Sequence, residues 1–275
     1  METVIDMIPT SSIIAMIACI VMVVVVPIAI AIFLIRKYTM NLSAIILGFL
    51  MYIVFDTILM SLFDSFIVGE LSTVIYNLVN SSVFSYAAYY AFIHALFYTA
   101  GFSVAVRMVL NQDTGVGTGI AIGMGCGGAS AILGTAQPMV NSFIAALQIN
   151  KVGEEAFLAE AEEAGRQAMI EAVAALRNSS AADFLFAGYE KIMLFLIFVA
   201  TGIITHLAIT HRSHIAYLYA AMVMLIIVYV PPALYTLGVI TSVLLLEILM
   251  TVLAFAAVAF AIVQVKKYGQ NPLRY

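Results

Sequence analysis

Residues 13–35 read IIAMIACIVMVVVVPIAIAIFLI, without one charged, amide or hydroxyl side chain. As a helix rising 1.5 Å per residue, this stretch is about 35 Å long, and a bilayer core is spanned by about 20 apolar residues. It is too long for the apolar centre of a cleaved signal, and Glu2 and Asp6 precede it where a signal carries positive charge. The stretch therefore predicts a retained first membrane helix. Working outward, similar runs separated by short polar breaks predict further spans at 43–68, 85–110, 117–147, 189–209, 214–235 and 239–263.

The composition agrees with this reading. Of 275 residues, 64% are hydrophobic and 9% charged, against roughly half and a quarter in a soluble domain. The expected fold is all-α, a polytopic transmembrane bundle of about seven spans forming one transmembrane domain over 1–275. Its first partner is the lipid bilayer. The net charge of −4 comes from one acidic segment, and no basic, aromatic-interleaved patch occurs, which excludes nucleic acid as a partner. Cys19 and Cys126 sit in apolar runs without a CxxC spacing and read as small core residues, not as a disulfide or zinc site.

Residues 69–84 are too polar to span and are expected to form an outside loop or short interfacial helix. The other polar stretch, 151–183, repeats apolar Leu158, Ala161, Met169, Val173 and Leu176 near helical spacing, with carboxylates opposite. It predicts an amphipathic extracytoplasmic insertion, in which Glu162 and Arg166 are spaced to pair. Lysine and arginine favour cytoplasmic loops. Arg36, Lys37, Arg107, Arg212, Lys266, Lys267 and Arg274 share one side if the amino terminus is outside and the carboxyl terminus inside, in a bacterial cytoplasmic membrane.

The fourth run carries Gly115, Gly119, Gly123, Gly127 and Ala131 at intervals of four, beside Gly117, Ala121, Gly125 and Ala129. Small residues at this spacing let helix backbones approach closely in lipid, so this helix is expected at the centre. The GxGxxG at Gly123, Gly125 and Gly128 lacks the preceding strand of a dinucleotide site, and no cofactor is expected. Ionisable side chains inside spans are costly and draw attention to function. Asp56 is the deepest of these, with Arg107 as a candidate partner. Asp64, His94, Arg107, Glu190, His206 and Glu247 lie nearer ends or at a depth the sequence does not fix. His206, His211 and His214 gather at one helix junction but form no HExxH or catalytic spacing, and no metal site is expected.

Certain strings resemble a known family: Val26-Pro27-Ile28 before Ile35-Arg36-Lys37; Leu47-Gly48-Phe49 to Phe55; Gly101-Phe102 to Arg107; Gly123-Met124-Gly125-Cys126-Gly127-Gly128-Ala129-Ser130-Ala131-Ile132; and Gly188-Tyr189-Glu190-Lys191. In this order, over nearly the whole chain, they resemble the YhfC-like integral membrane proteins, related to the CAAX-protease and bacteriocin-processing intramembrane proteases. The resemblance implies a peptidase in which a Glu-Glu pair before an arginine activates water, assisted by helix-borne histidines or a metal. This sequence departs at those positions, with Ser103 and Val104 before Arg107, Cys126 and Ser130 in the glycine-rich string, and Phe198 downstream of Glu190. Before Pro231, Leu225 and Tyr229 stand in place of histidine and aspartate. A literal EExxR at Glu162, Glu163 and Arg166 falls in the polar insertion and reads as coincidence.

The resulting expectation is a pseudoprotease with no catalytic residues. It would bind a membrane peptide or partner subunit in a degenerate pocket of Ser103, Val104, Arg107, Cys126, Ser130, Glu190 and Phe198. Two alternatives stay open. One is an active peptidase recruiting Asp56 or Glu190. The other is a transport component, for which Pro138, Pro231 and Pro232 provide mild helix breaks.

Overall fold

The structure, a computed structural model, describes residues 7–38, 40–66, 77, 81–109, 115–159 and 165–268. Among the described residues seven helices are long and apolar enough to cross a membrane. They are α1 (Thr10–Tyr38), α2 (Leu42–Met51, a π-helical segment Tyr52–Leu59, then Met60–Phe66), α3 (Val83–Val109) and α4 (Val116–Ala131, π-helical Ile132–Ala136, then Gln137–Val152). After two short helices, α5 (Glu154–Ala159) and α6 (Arg166–Asn178), come α7 (Ala181–Thr210), α8 (His214–Thr236) and α9 (Val243–Lys267). The chain is an all-α, multi-pass membrane protein. Most of the 69–84 segment, Ala161, Glu162, Glu163, both charged amino-terminal residues and Arg274 lie outside the described residues.

The boundaries follow local chemistry. Helix α7 starts at Ala181, eight residues before its predicted apolar run, because Ser180 and Asp183 cap it reciprocally: the Asp183 carboxylate accepts from Ser180 N at 2.7 Å, and Ser180 Oγ accepts from Asp183 N at 3.3 Å. Helix α9 starts later than predicted, because Leu237 and Gly238 form a turn in which Gly238 takes φ 68°. The Ser213 hydroxyl accepts from Ala216 N at 3.2 Å and starts α8.

By internal contacts the chain forms two compact units, Met1–Val26 with Ala131–Ile192 and Pro27–Ser130 with Met193–Tyr275. In the second unit α4 is the packing centre, as its glycine rows predict. A Cβ on Gly119 would lie 2.8 Å from the Gly202 carbonyl oxygen, and one on Gly123 2.6 Å from that of Phe198, both on α7. The other row faces α2: a Cβ on Gly125 would overlap the Ile45 carbonyl, and one on Gly48 would overlap that of Ile122. Lipid supplies no hydrophobic drive between helices, so this contact area and its dispersion energy hold the crossings. The apolar side chains exposed on the outer helices, such as Leu244, Ile248, Val252 and Phe255 on α9, recur at helical spacing as a lipid-facing stripe.

The first unit packs Met16, Cys19 and Val23 of α1 with Met139, Ala146 and Ile149 of α4 and Val173 and Leu176 of α6. The Asn150 side chain ties down the segment before α1, accepting from Ile8 N at 2.7 Å and donating to its carbonyl at 2.9 Å. The predicted amphipathic stripe is present on α6, where Val173 and Leu176 are buried and Met169 packs against the same core. Among its described residues the insertion holds two helices, and an ion pair joins Arg177 to Glu154. Arg166 is exposed. A groove of about 350 Å³ between α4 and the insertion is lined by Asn141, Gln148, Phe157 and Met169, among others.

Candidate functional site

The polar groups of the second unit gather on facing sides of α2 and α3. Asp56 lies in the π-helical segment of α2, a wide turn that recurs at functional positions. Its carboxylate meets His94 Nδ1 of α3 at 3.1 Å, with the two side chains only 12% and 24% exposed. The Tyr52 and Tyr98 hydroxyls face the same carboxylate, and Tyr52 also faces Ser130 of α4. The His94 ring stacks on Tyr98 with centroids 5.5 Å apart and packs on Tyr90 at 5.8 Å. Nearer the α2 carboxyl end, Tyr89 donates to Asp64 at 3.2 Å. This Nδ1–carboxylate contact fixes the ring and leaves Nε2 as the nitrogen able to exchange a proton.

A second polar layer lies near the end of α3. Ser103 donates to the Thr99 carbonyl at 2.5 Å and shares a hydrogen bond with the Tyr217 hydroxyl of α8. The exposed Arg107 guanidinium acts on the same tyrosine and sits in the last turn of α3, where positive charge complements the helix dipole. Val104 is 38% exposed on this helix.

Ser103 and Arg107 share the Tyr217 layer. Asp56, Ser130 and Phe198 meet around Tyr52: Phe198, fully buried, sets its ring edge-on to Tyr98 at 5.1 Å and to Tyr52 at 6.2 Å. The Cys126 thiol donates to the Gly48 carbonyl at 3.0 Å and serves the α2–α4 crossing. Glu190 belongs to the first unit. Arg107 is a candidate partner for Asp56 if the two helices adjoin; α2 and α3 do adjoin, and the residue of α3 set against Asp56 is His94. The three histidines near the α7–α8 junction diverge: His206 is buried against Gly119, exposed His211 stacks on Tyr268 at 4.6 Å, and His214 is exposed. Sequence reasoning missed Tyr52, Tyr98 and Tyr217, and it placed His94 among end-of-helix groups. The available signal was the four-residue spacing of Tyr86, Tyr90, His94 and Tyr98 beside the same spacing of Tyr52 and Asp56.

A family model described as YhfC intramembrane metalloprotease matches residues 22–250. No curated protein and no solved structure matches the chain. The family description implies a metal, and a catalytic zinc takes three protein ligands. Among the described residues no three His, Cys, Asp or Glu side chains form such a set. Asp56 and His94 make two, and the Cys126 thiol is engaged with the Gly48 carbonyl. Among the described residues the donor set does not fit a metal of this kind.

Proposed function

The chain belongs to the YhfC intramembrane metalloprotease family, and from that premise we propose that it is a non-hydrolytic member which holds a membrane-embedded peptide or partner subunit where active relatives cleave. Its place is the bacterial cytoplasmic membrane, with the amino terminus outside and the carboxyl terminus inside. One observation carries the reading. One helical turn before Arg107 stand Val104 and Ser103, the latter hydrogen-bonded to the Tyr217 hydroxyl, where metal-assisted or glutamate-driven cleavage needs a carboxylate to take the proton of water. Hydroxyls of this kind donate to and accept from a peptide backbone without activating water.

The test places a photo-crosslinking side chain at Val104, exposed and one helical turn from Arg107, and illuminates the reconstituted protein with a fluorescent transmembrane peptide. The expected result is a crosslink that Arg107→Ala weakens, with the peptide intact after incubation with zinc. Chelator-sensitive cleavage of that peptide would overturn the proposal.

One observation favours a second reading, a peptidase that recruits Asp56: the contact between Asp56 and His94 pairs a carboxylate with an imidazole, the elements of a general base. Cleavage that persists in chelator and stops with Asp56→Asn would promote it.

A further inference from the structure

The polar residues between α2 and α3 follow a register. Tyr52 faces Tyr98, Asp56 meets His94, and Asp64 accepts from Tyr89. Position numbers rise on one helix as they fall on the other, as two antiparallel neighbours require. On α2 the two carboxylates are eight residues apart, about 12 Å along the axis. Tyr89, the donor to Asp64, and Tyr90 lie in that interval: the Tyr90 ring packs on Tyr89 with centroids 6.0 Å apart and on the His94 ring at 5.8 Å.

We propose that this register is a proton relay, leading from Asp64 near the carboxyl end of α2 to the Asp56–His94 pair, which binds one proton reversibly. The inference goes beyond peptide capture and does not depend on it. Every group on the route, phenol, carboxylate or imidazole, can accept and release a proton. The transfer makes and breaks only O–H and N–H bonds: a hydronium gives its proton to the Asp64 carboxylate, the Tyr89 and Tyr90 hydroxyls and water between the side chains pass it on, and His94 Nε2 receives it to leave an imidazolium beside the Asp56 carboxylate. Release to water reverses the sequence.

Magnitudes argue against a purely adhesive role. A carboxylate at the centre of a spanning helix costs about 2.5–3.5 kcal/mol on insertion scales, and a hydrogen bond between membrane helices returns about 0.6 kcal/mol on average. Adhesion between α2 and α3 is supplied more cheaply by small and apolar residues. The π-helical segment adds a second, independent sign, because it gives the backbone around Asp56 a wider turn than either flank of α2. From the other helices, α4 brings the Cys126 thiol and Ser130 toward the pair, and α7 brings the Phe198 ring.

The test is infrared difference spectroscopy of the full chain in lipid nanodiscs after a rapid pH jump. The expected spectrum contains imidazole and carboxylate bands that change together and are lost in both His94→Gln and Asp56→Asn. Asp64→Asn and Tyr89→Phe are expected to keep the amplitude and slow its appearance several-fold. Glu171→Gln, on exposed α6, should change neither. Bands that survive His94→Gln and Asp56→Asn would overturn the binding pair, and an unchanged rate in both Asp64→Asn and Tyr89→Phe would overturn the route. Peptide capture at position 104, measured on the same variants, should be unchanged, which keeps a failure here separate from a failure of the binding reading.

Discussion

Gly125→Ala adds one methyl group at the most crowded point of the α2–α4 crossing. The new Cβ would overlap the Ile45 carbonyl oxygen and lie 2.7 Å from Phe49 N and 3.0 Å from the Gly48 carbonyl carbon. All three neighbours are backbone atoms of α2, so no rotamer change relieves the clash and the helices must separate. Overpacking of this kind costs about 1–3 kcal/mol, or roughly 5- to 150-fold in the folding equilibrium at about 1.4 kcal/mol per decade. Because every clashing atom is backbone, the upper half of that range, about 2–3 kcal/mol, applies; helix propensity opposes it, since alanine is favoured over glycine by about 1 kcal/mol, so the expected net loss is about 1–2 kcal/mol. Gly128→Ala, three residues on, is the internal control: its Cβ would meet nothing within 4 Å, so only the propensity gain remains. The assay is thermal unfolding in detergent with a thiol-reactive fluorophore, because Cys19 and Cys126 are both buried and free in the folded protein. Gly125→Ala should label at lower temperature and Gly128→Ala at the same or higher temperature. Gly48→Ala combined with Gly125→Ala should cost less than the sum, since the first methyl already opens the crossing both share. Equal stability of Gly125→Ala and wild type, or equal damage from Gly128→Ala, would refute the reasoning.

Phe198→Ala removes a fully buried ring that contacts Tyr52, Tyr98 and Phe102. The loss should be about 3 kcal/mol, at the low end for aromatic truncation because lipid replaces water as the outside phase; an unfolding midpoint within a degree of wild type would contradict the packing described. For orientation, a cysteine at Lys37, in the last turn of α1, and one at Arg212, between α7 and α8, should both react with an impermeant maleimide only when the cytoplasmic face is open; labelling of intact cells at either position would reverse the topology.

Some of this architecture was legible from single helices. The seven spans follow from apolar run length, because a bilayer imposes a minimum length on any crossing helix and every backbone hydrogen bond must be made within it. The central position of α4 was legible for a related reason: two rows of small residues on one helix ask for two close neighbours, and they have them in α2 and α7. The amphipathic face of α6 was legible from its period, whereas its ion pair was not, since Arg177 on α6 meets Glu154 on α5 and spacing within one helix does not specify a contact between two. Helix ends moved wherever a cap or turn outweighed hydropathy, as at Ser180 and Gly238.

The candidate site was legible only as a set of suspects. Asp56 stood out because a carboxylate in lipid is costly wherever it is placed. Its partner could not be read, because Arg107 and His94 lie on the same helix and the choice depends on how far α3 slides along α2. That offset is decided by side-chain packing between the two helices and by the wide turn in α2, neither of which leaves a periodic trace. The amino-acid sequence by itself determined that the chain lies in the membrane, where its membrane-spanning helices run and which helix packs closely against two neighbours, because each of these depends on the length or spacing of residues within one helix. Tertiary structure alone decided that an imidazole meets the carboxylate and that hydroxyls stand beside the arginine, because those contacts depend on the register between helices.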